Sequence, residues 1–221
     1  MEPTSEVMSF SLIELASKGG WLMIVLLILS IVAIYIFGKK VWMISKAGKI
    51  DRYFMNDIQD YMFEGKVKSA LALCDKYDSP VARMVERGIE KRDKSAAEVQ
   101  RTMENVGNVE VARLEKGLSG LATISGGAPM IGFLGTVTGM IRAFFNMANA
   151  GNNVDITLLS GGIYEAMVTT VGGLFVGILA YFAYNFLVGR VNALTASMDT
   201  ATMDMLDILQ NIPEGTKEEE E

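Results

Sequence analysis

The sequence predicts an all-α membrane protein: three transmembrane helices with long helical extensions into the cytoplasm. Three observations carry this. Of the 221 residues 50% are hydrophobic, and they gather into three long runs instead of spreading at the spacing of a soluble core. The intervening residues are charged and follow the spacing of helices, without the alternation of strands. Basic residues cluster at one end of each run. Mean hydropathy is positive, and the membrane class follows from the clustering.

The chain opens with Met1-Glu2-Pro3-Thr4-Ser5-Glu6, acidic where a secretory signal needs positive charge. Its first apolar run ends in Phe37-Gly38-Lys39-Lys40 with no small-residue cleavage site, so residues 19–38 read as a retained first span. Residues 21–37 fall slightly short of the roughly 20 that a spanning helix needs, and Gly19, Gly20 and Gly38 extend them. Lys39, Lys40, Lys46, Lys49 and Arg52 follow this span, whereas only Lys18 stands against Glu2, Glu6 and Glu14 before it. The positive-inside rule therefore puts the next segment in the cytoplasm and residues 1–18 in the periplasm. In that N-terminal segment Phe10, Leu12, Ile13 and Leu15 could lie along the outer interface, or the terminus could fray.

Residues 39–117 read as a cytoplasmic helical region without the apolar bulk for an independent core, extending the bundle below the membrane. Val67, Ala70, Leu71 and Cys74 share one face; after the breaker Asp78-Ser79-Pro80, Val81, Met84, Val85 and Ile89 share another. Cys74 is read as a core residue. From Ser95, the positions Val99, Met103, Val106, Leu114, Leu118 and Leu121 recur at heptad-like steps, which predicts one unbroken helix running into the second span.

Span two covers residues 118–147 and span three 158–188, joined by a polar periplasmic loop, 148–157, suited to a tight turn. Arg113, Lys116 and Arg190 flank these spans on the inner side, in agreement with span one. The topology is N-terminus periplasmic, C-terminus cytoplasmic. Residues 189–212 continue as a cytoplasmic amphipathic helix through Leu194, Met198, Met205 and Leu209, and 213–221 form a disordered acidic tail.

Within span two, Gly132, Gly135 and Gly139 fall at steps of three and four and make a stripe where another helix can approach; Gly135-x-x-x-Gly139 is a small-xxx-small pattern. Pro129 removes a backbone donor at the inner approach and is expected to bend the helix. Thr136 and Thr138 can each bond a preceding carbonyl of their own helix. Span three repeats the design with Gly162, Ala166, Thr169, Gly173, Gly177 and Ala180. It also holds a lone acid, Glu165. A carboxyl group in hydrocarbon is costly and persists facing a partner helix or a water-filled path, so Glu165 is either an interhelical staple or a conduction group. Thr170 is rotated roughly 140° from Glu165, so one pore face cannot hold both symmetrically. Tyr181, Tyr184 and Asn185 suit interface anchoring or helix contacts.

The composition also excludes. There is no His and a single Cys, so a zinc site, a His-dependent triad and a disulfide framework lack their raw material, and no cofactor is expected. No basic stripe invites nucleic acid, and the formal charge is -6. An intramembrane enzyme would need paired acids that the spans do not offer. A complete proton relay within this chain is doubtful for the same reason: a second titratable group would have to come from another subunit.

The stretch Ala128-Pro129-Met130-Ile131-Gly132-Phe133-Leu134-Gly135-Thr136-Val137-Thr138-Gly139 resembles the signature of the MotA/TolQ/ExbB proton-channel family, nearest its ExbB branch. Ile163-Tyr164-Glu165-Ala166-Met167-Val168-Thr169-Thr170-Val171-Gly172-Gly173-Leu174 resembles the companion motif, and residues 64–83 resemble the family's cytoplasmic helices. The resemblance implies a homopentameric helical bundle around a central pore, enclosing a single-span dimer of the ExbD/TolR type whose membrane Asp carries the proton. It implies that Thr136 and Thr170 line the pore and that Glu165 holds the family's third-helix acid position. The implied work is to energise TonB-dependent transport across the outer membrane from the bacterial inner membrane, through a TonB-like partner. The alternatives are a TolQ-type subunit of the Tol-Pal envelope system, or a related motor of gliding or secretion; the lack of a fourth span disfavours the flagellar branch. Thr138 stands where many relatives carry Trp and Thr169 adds a hydroxyl, so either could tune pore hydration or the choice of H+ over Na+. A passive scaffold is a further reading, in which Glu165 only staples helices.

Overall fold

The structure, a computed structural model, describes residues 20–149 and 156–212. Seven helices cover them: α1 (Gly20–Ala47), α2 (Phe54–Phe63), α3 (Val67–Lys76), α4 (Pro80–Glu90), α5 (Ala96–Glu115), α6 (Leu118–Asn149) and α7 (Ile156–Gln210). No strand occurs among the described residues. Three helical stretches are long and apolar enough to cross a membrane: Gly20–Ala47, Ala96–Asn149 and Leu159–Gln210. The expected outer-interface segment (within 1–18), most of the 148–157 loop and the acidic tail 213–221 lie outside the described residues.

The chain divides into two compact units. The first takes its described residues from Met1–Phe37 and Ser119–Asn185 and packs α1, α6 and α7. Its packing inverts that of a soluble protein. Small residues are buried, with Ala128 at 0% and Ala166 at 2% exposure, while Phe133 and Phe182 each stand 66% exposed. That is the pattern expected where the surrounding medium is as apolar as the side chains and close backbone approach holds the helices together.

The second unit takes its described residues from Gly38–Leu118 and Phe186–Glu221. Ser79 caps α4 by accepting from the Ala82 N–H at 3.1 Å, with Pro80 in the first turn, and Ser95 caps α5 by accepting from the Glu98 N–H at 3.3 Å. The expected face of Val81, Met84, Val85 and Ile89 is buried, and so are Val67, Ala70 and Cys74, with Leu71 at the edge. Methionines and glycines interlock here. The space beside Gly88 is filled by Met103 and Met205, and that beside Gly107 by Met84 and Met198. Flexible thioethers fill irregular gaps, which gives these four methionines a packing role.

Four expectations change. Residues 39–117 do contribute to a well-packed core, but only together with the last part of α7, whose Met198 and Met205 are fully buried in it. The predicted unbroken helix from Ser95 into span two is interrupted at Lys116 and Gly117, where Gly117 has φ +92°, a left-handed conformation that ends α5 before α6 begins. On α5 the buried position is Gly107, with Val106 at the edge, and on α7 it is Ile208, with Leu209 at the edge. α1 continues past the predicted end of span one at 38 to Ala47. The amphipathic segment, by contrast, continues span three as expected, within the single helix α7.

Candidate functional site

The two glycine stripes meet. A Cβ on Gly132 would stand 2.9 Å from the Thr169 carbonyl oxygen and 3.2 Å from Gly173 Cα; one on Gly173 would stand 2.5 Å from the Ala128 carbonyl oxygen. Further along, Gly139 faces Ala166 and Gly162, and Gly162 faces Ala143. At the other end Gly177 lies against the Pro129 ring and the Ser125 carbonyl. Ser125 is the i−4 residue whose carbonyl Pro129 cannot serve, and α6 remains helical through this position. Every packing glycine expected from the sequence thus lies on one antiparallel α6–α7 seam.

Four threonines sit on or beside it. Thr136 donates to the Phe133 carbonyl at 2.6 Å, Thr138 to the Leu134 carbonyl at 2.9 Å, and Thr169, 2% exposed and facing Gly135, to the Ala166 carbonyl at 2.7 Å. These three hydroxyls are satisfied within their own helices. Thr170 differs. Its hydroxyl donates across the seam to the Gly132 carbonyl at 2.9 Å. Thr136 lies four residues along from Gly132, about 40° around the same helix, so Thr136 and the Thr170 bond share one flank.

Glu165 is half-buried and turned to the third member of the unit: its carboxylate fills the space beside Gly20, the first residue of α1, where φ is +64°. Gly20 leaves room for it. An acid there meets the positive end of the α1 dipole. Gly172, beside the seam glycines, faces Met23 and Leu26 of α1. Tyr181 is exposed and stacks edge-on to Phe182, and Asn185 donates to the Tyr181 carbonyl, so their polar groups serve the helix surface.

The second unit holds a polar cluster that the sequence did not disclose. Arg83 of α4 donates two hydrogen bonds to Glu110 of α5, Nε at 3.0 Å and one terminal nitrogen at 2.8 Å, and a third to Asp78 at 2.8 Å. Lys46 of α1 bonds Asp78 at 2.8 Å. The bonds to Lys46 and Arg83 hold the Asp78 carboxyl below its ordinary range, and the Glu110 bond raises the Arg83 guanidinium further. Lys40, one of the basic residues that follow the first span in sequence, is buried and donates to the Leu114 carbonyl at 2.8 Å, placing a cation at the C-terminal end of α5. Burial pushes the Cys74 thiol up to about 12, in keeping with a core role. Among the described residues no three His, Cys, Asp or Glu side chains are grouped to hold a metal ion.

Three apolar helices and a small-residue seam bearing hydroxyls and a lone acid define a multi-pass membrane protein with polar groups at the heart of its spanning bundle. Residues 76–200, which include both glycine stripes, match the MotA/TolQ/ExbB proton channel family. The chain belongs to that family, one of proton channels and transport components and not of enzymes. It is 32% identical to an ExbB-like biopolymer transport protein of Synechocystis sp. over 173 residues, 77% of this chain and 68% of that protein. It is 41% identical to the biopolymer transport protein ExbB of Neisseria gonorrhoeae over 93 residues, 42% of each chain. It is 39% identical to the Tol-Pal system protein TolQ of Haemophilus influenzae over 94 residues, 42% of this chain and 41% of that one. The matched stretch thus covers less than half the length of each of the last two.

Proposed function

We propose that this chain is the proton-channel subunit of an ExbB–ExbD-type motor in the bacterial inner membrane, with its N-terminus periplasmic and its C-terminus cytoplasmic. Five copies enclose a single-span ExbD/TolR-like dimer, and proton entry and release at the dimer's membrane Asp drives work at the outer membrane through a TonB-like partner. The observation that carries this reading is the Thr170 hydrogen bond to Gly132. It fixes the α6–α7 register so that Thr136 and Thr170 share one flank of a helix pair rigid enough to present them to an inner helix. Glu165 is the lone acid of residues 20–38, 118–149 and 156–188, and its carboxylate is turned to α1. The match to a TolQ protein favours, as a second reading, the same machine serving envelope integrity.

The test replaces Thr170 with Ala, Val and Ser where this chain and its partner are the sole energiser, and reads proton-gradient-dependent uptake beside membrane abundance. Loss of uptake in Ala and Val at normal abundance, with activity kept in Ser, is the expected result. Uptake retained in Ala and Val would remove Thr170 from the ion path. Glu165→Gln separates the roles further, since a staple predicts full uptake and a conduction group predicts loss.

A further inference from the structure

A cavity of about 350 Å³ opens in the second unit, walled by Ile44, Ser45 and Gly48 at the end of α1 and by Arg190, Leu194 and Ser197 of α7. Its volume lies in the range of small-ligand pockets. Its lining carries one full charge, the Arg190 guanidinium, and no carboxylate. Arg190 lies 5.7 Å from the Phe186 ring and has no acid partner among the described residues. Every other cation of the α4–α5 cluster is engaged: Lys46 and Arg83 by Asp78 and Glu110, and Lys40 by a carbonyl. Ser45 is exposed and free to donate, whereas Ser197 spends its hydrogen on the Leu194 carbonyl at 2.7 Å. The buried side chains of Ile44 and Leu194 make the floor apolar.

Depth selects the ligand. Span three ends near 188 by sequence, so Arg190 lies about 3 Å further along the helix. The headgroup layer on each side of a bilayer is about 5–7 Å thick. Arg190, in the wall of the cavity, therefore lies at the depth of lipid phosphates. A cationic fork beside a hydroxyl, above an apolar floor, suits a phosphate diester carrying a glyceride.

We propose that this cavity is a binding site for the phosphate headgroup of a phospholipid, with Arg190 as the anion-binding group and Ser45 as a second donor. The site rests on the span assignment and not on proton conduction, so gradient-driven uptake is read separately. The complete chain is extracted in mild detergent with any partner that accompanies it, delipidated, and titrated with phosphatidylglycerol under native mass spectrometry. The titration is repeated for Arg190→Gln, Arg190→Lys and Ser45→Phe, the last filling the cavity without touching the charge. Wild type is expected to hold the lipid at a fixed ratio per chain. Arg190→Gln should weaken it about tenfold or more, the worth of a charge-assisted hydrogen bond. Arg190→Lys should weaken it less, and Ser45→Phe should also lose it. Equal binding by wild type and Arg190→Gln would overturn the proposal. So would displacement of the lipid by equimolar inorganic phosphate, which marks a free-anion site, or absence of any lipid from wild type, which means a neighbouring chain covers the cavity.

Discussion

Gly173 has no room for a side chain. A Cβ there would stand 2.5 Å from the Ala128 carbonyl oxygen and 2.8 Å from Gly132 Cα, both backbone atoms that cannot step aside. Overpacking of this kind costs about 1–3 kcal/mol. Gly189, on the same helix, has nothing within 4 Å of a Cβ, and alanine in an exposed helix interior is favoured by about 1 kcal/mol. Gly173→Ala is therefore expected to lower the thermal midpoint of the detergent-solubilised protein, and Gly189→Ala to hold or raise it. Matching midpoints would mean the seam is looser than its geometry. Residue by residue, the glycine stripes were legible because their spacing is a property of one helix. The Thr170 bond to Gly132 was not, because it depends on how two helices slide past each other, and periodicity carries no register. The same limit hid the partner of Glu165, whose neighbour Gly20 lies far away in sequence.

At the scale of elements, α4 and α5 are clasped by a pair of side chains in which Glu110 keeps only 11% of its side chain exposed and Arg83 keeps 33%. Removing one partner leaves a charge in a half-dry setting without its counterion, a cost of about 2 kcal/mol after allowing for the water that reaches Arg83. Glu110→Met and Arg83→Met should each shift the denaturation midpoint of the second unit downward, and the double variant carrying both should recover part of the loss. Additive losses would show that the two residues act separately. On its own helix Glu110 looks like an ordinary surface acid, and its partner lies 27 residues earlier, so sequence offered no signal. The break at Gly117 did have one. A glycine directly after a basic residue at the end of a charged helix is a C-terminal cap signal, but the apolar spacing from Val99 to Leu121 ran straight across it and was read as continuity. Val106 gave way to Gly107 because a glycine notch receives neighbouring methionines without itself counting as apolar.

Across the whole molecule, hydropathy disclosed the spans because a membrane imposes length and composition on each helix separately. It did not disclose that the second unit is assembled from two segments far apart in the chain, Gly38–Leu118 and Phe186–Glu221, since that depends on which distant segments share a core. This arrangement has a consequence for assembly. The first unit is complete once residue 185 has been made, whereas the second, begun at Gly38, lacks part of its interior until α7 supplies Val191, Leu194, Met198, Ala201, Met205 and Ile208. Without them Gly88 loses Met205 and Gly107 loses Met198 from the space beside it. Losing several buried aliphatic side chains at once, at about 1.5–3 kcal/mol each, exceeds what a unit of this size holds in reserve. A chain ended after Arg190 should therefore still insert three spans, since the apolar segments are intact, but residues 54–115 should be cut rapidly by protease added to inverted membrane vesicles, where full-length chain resists. Protection of residues 54–115 in the shortened chain would show that α2 to α5 form a self-sufficient core.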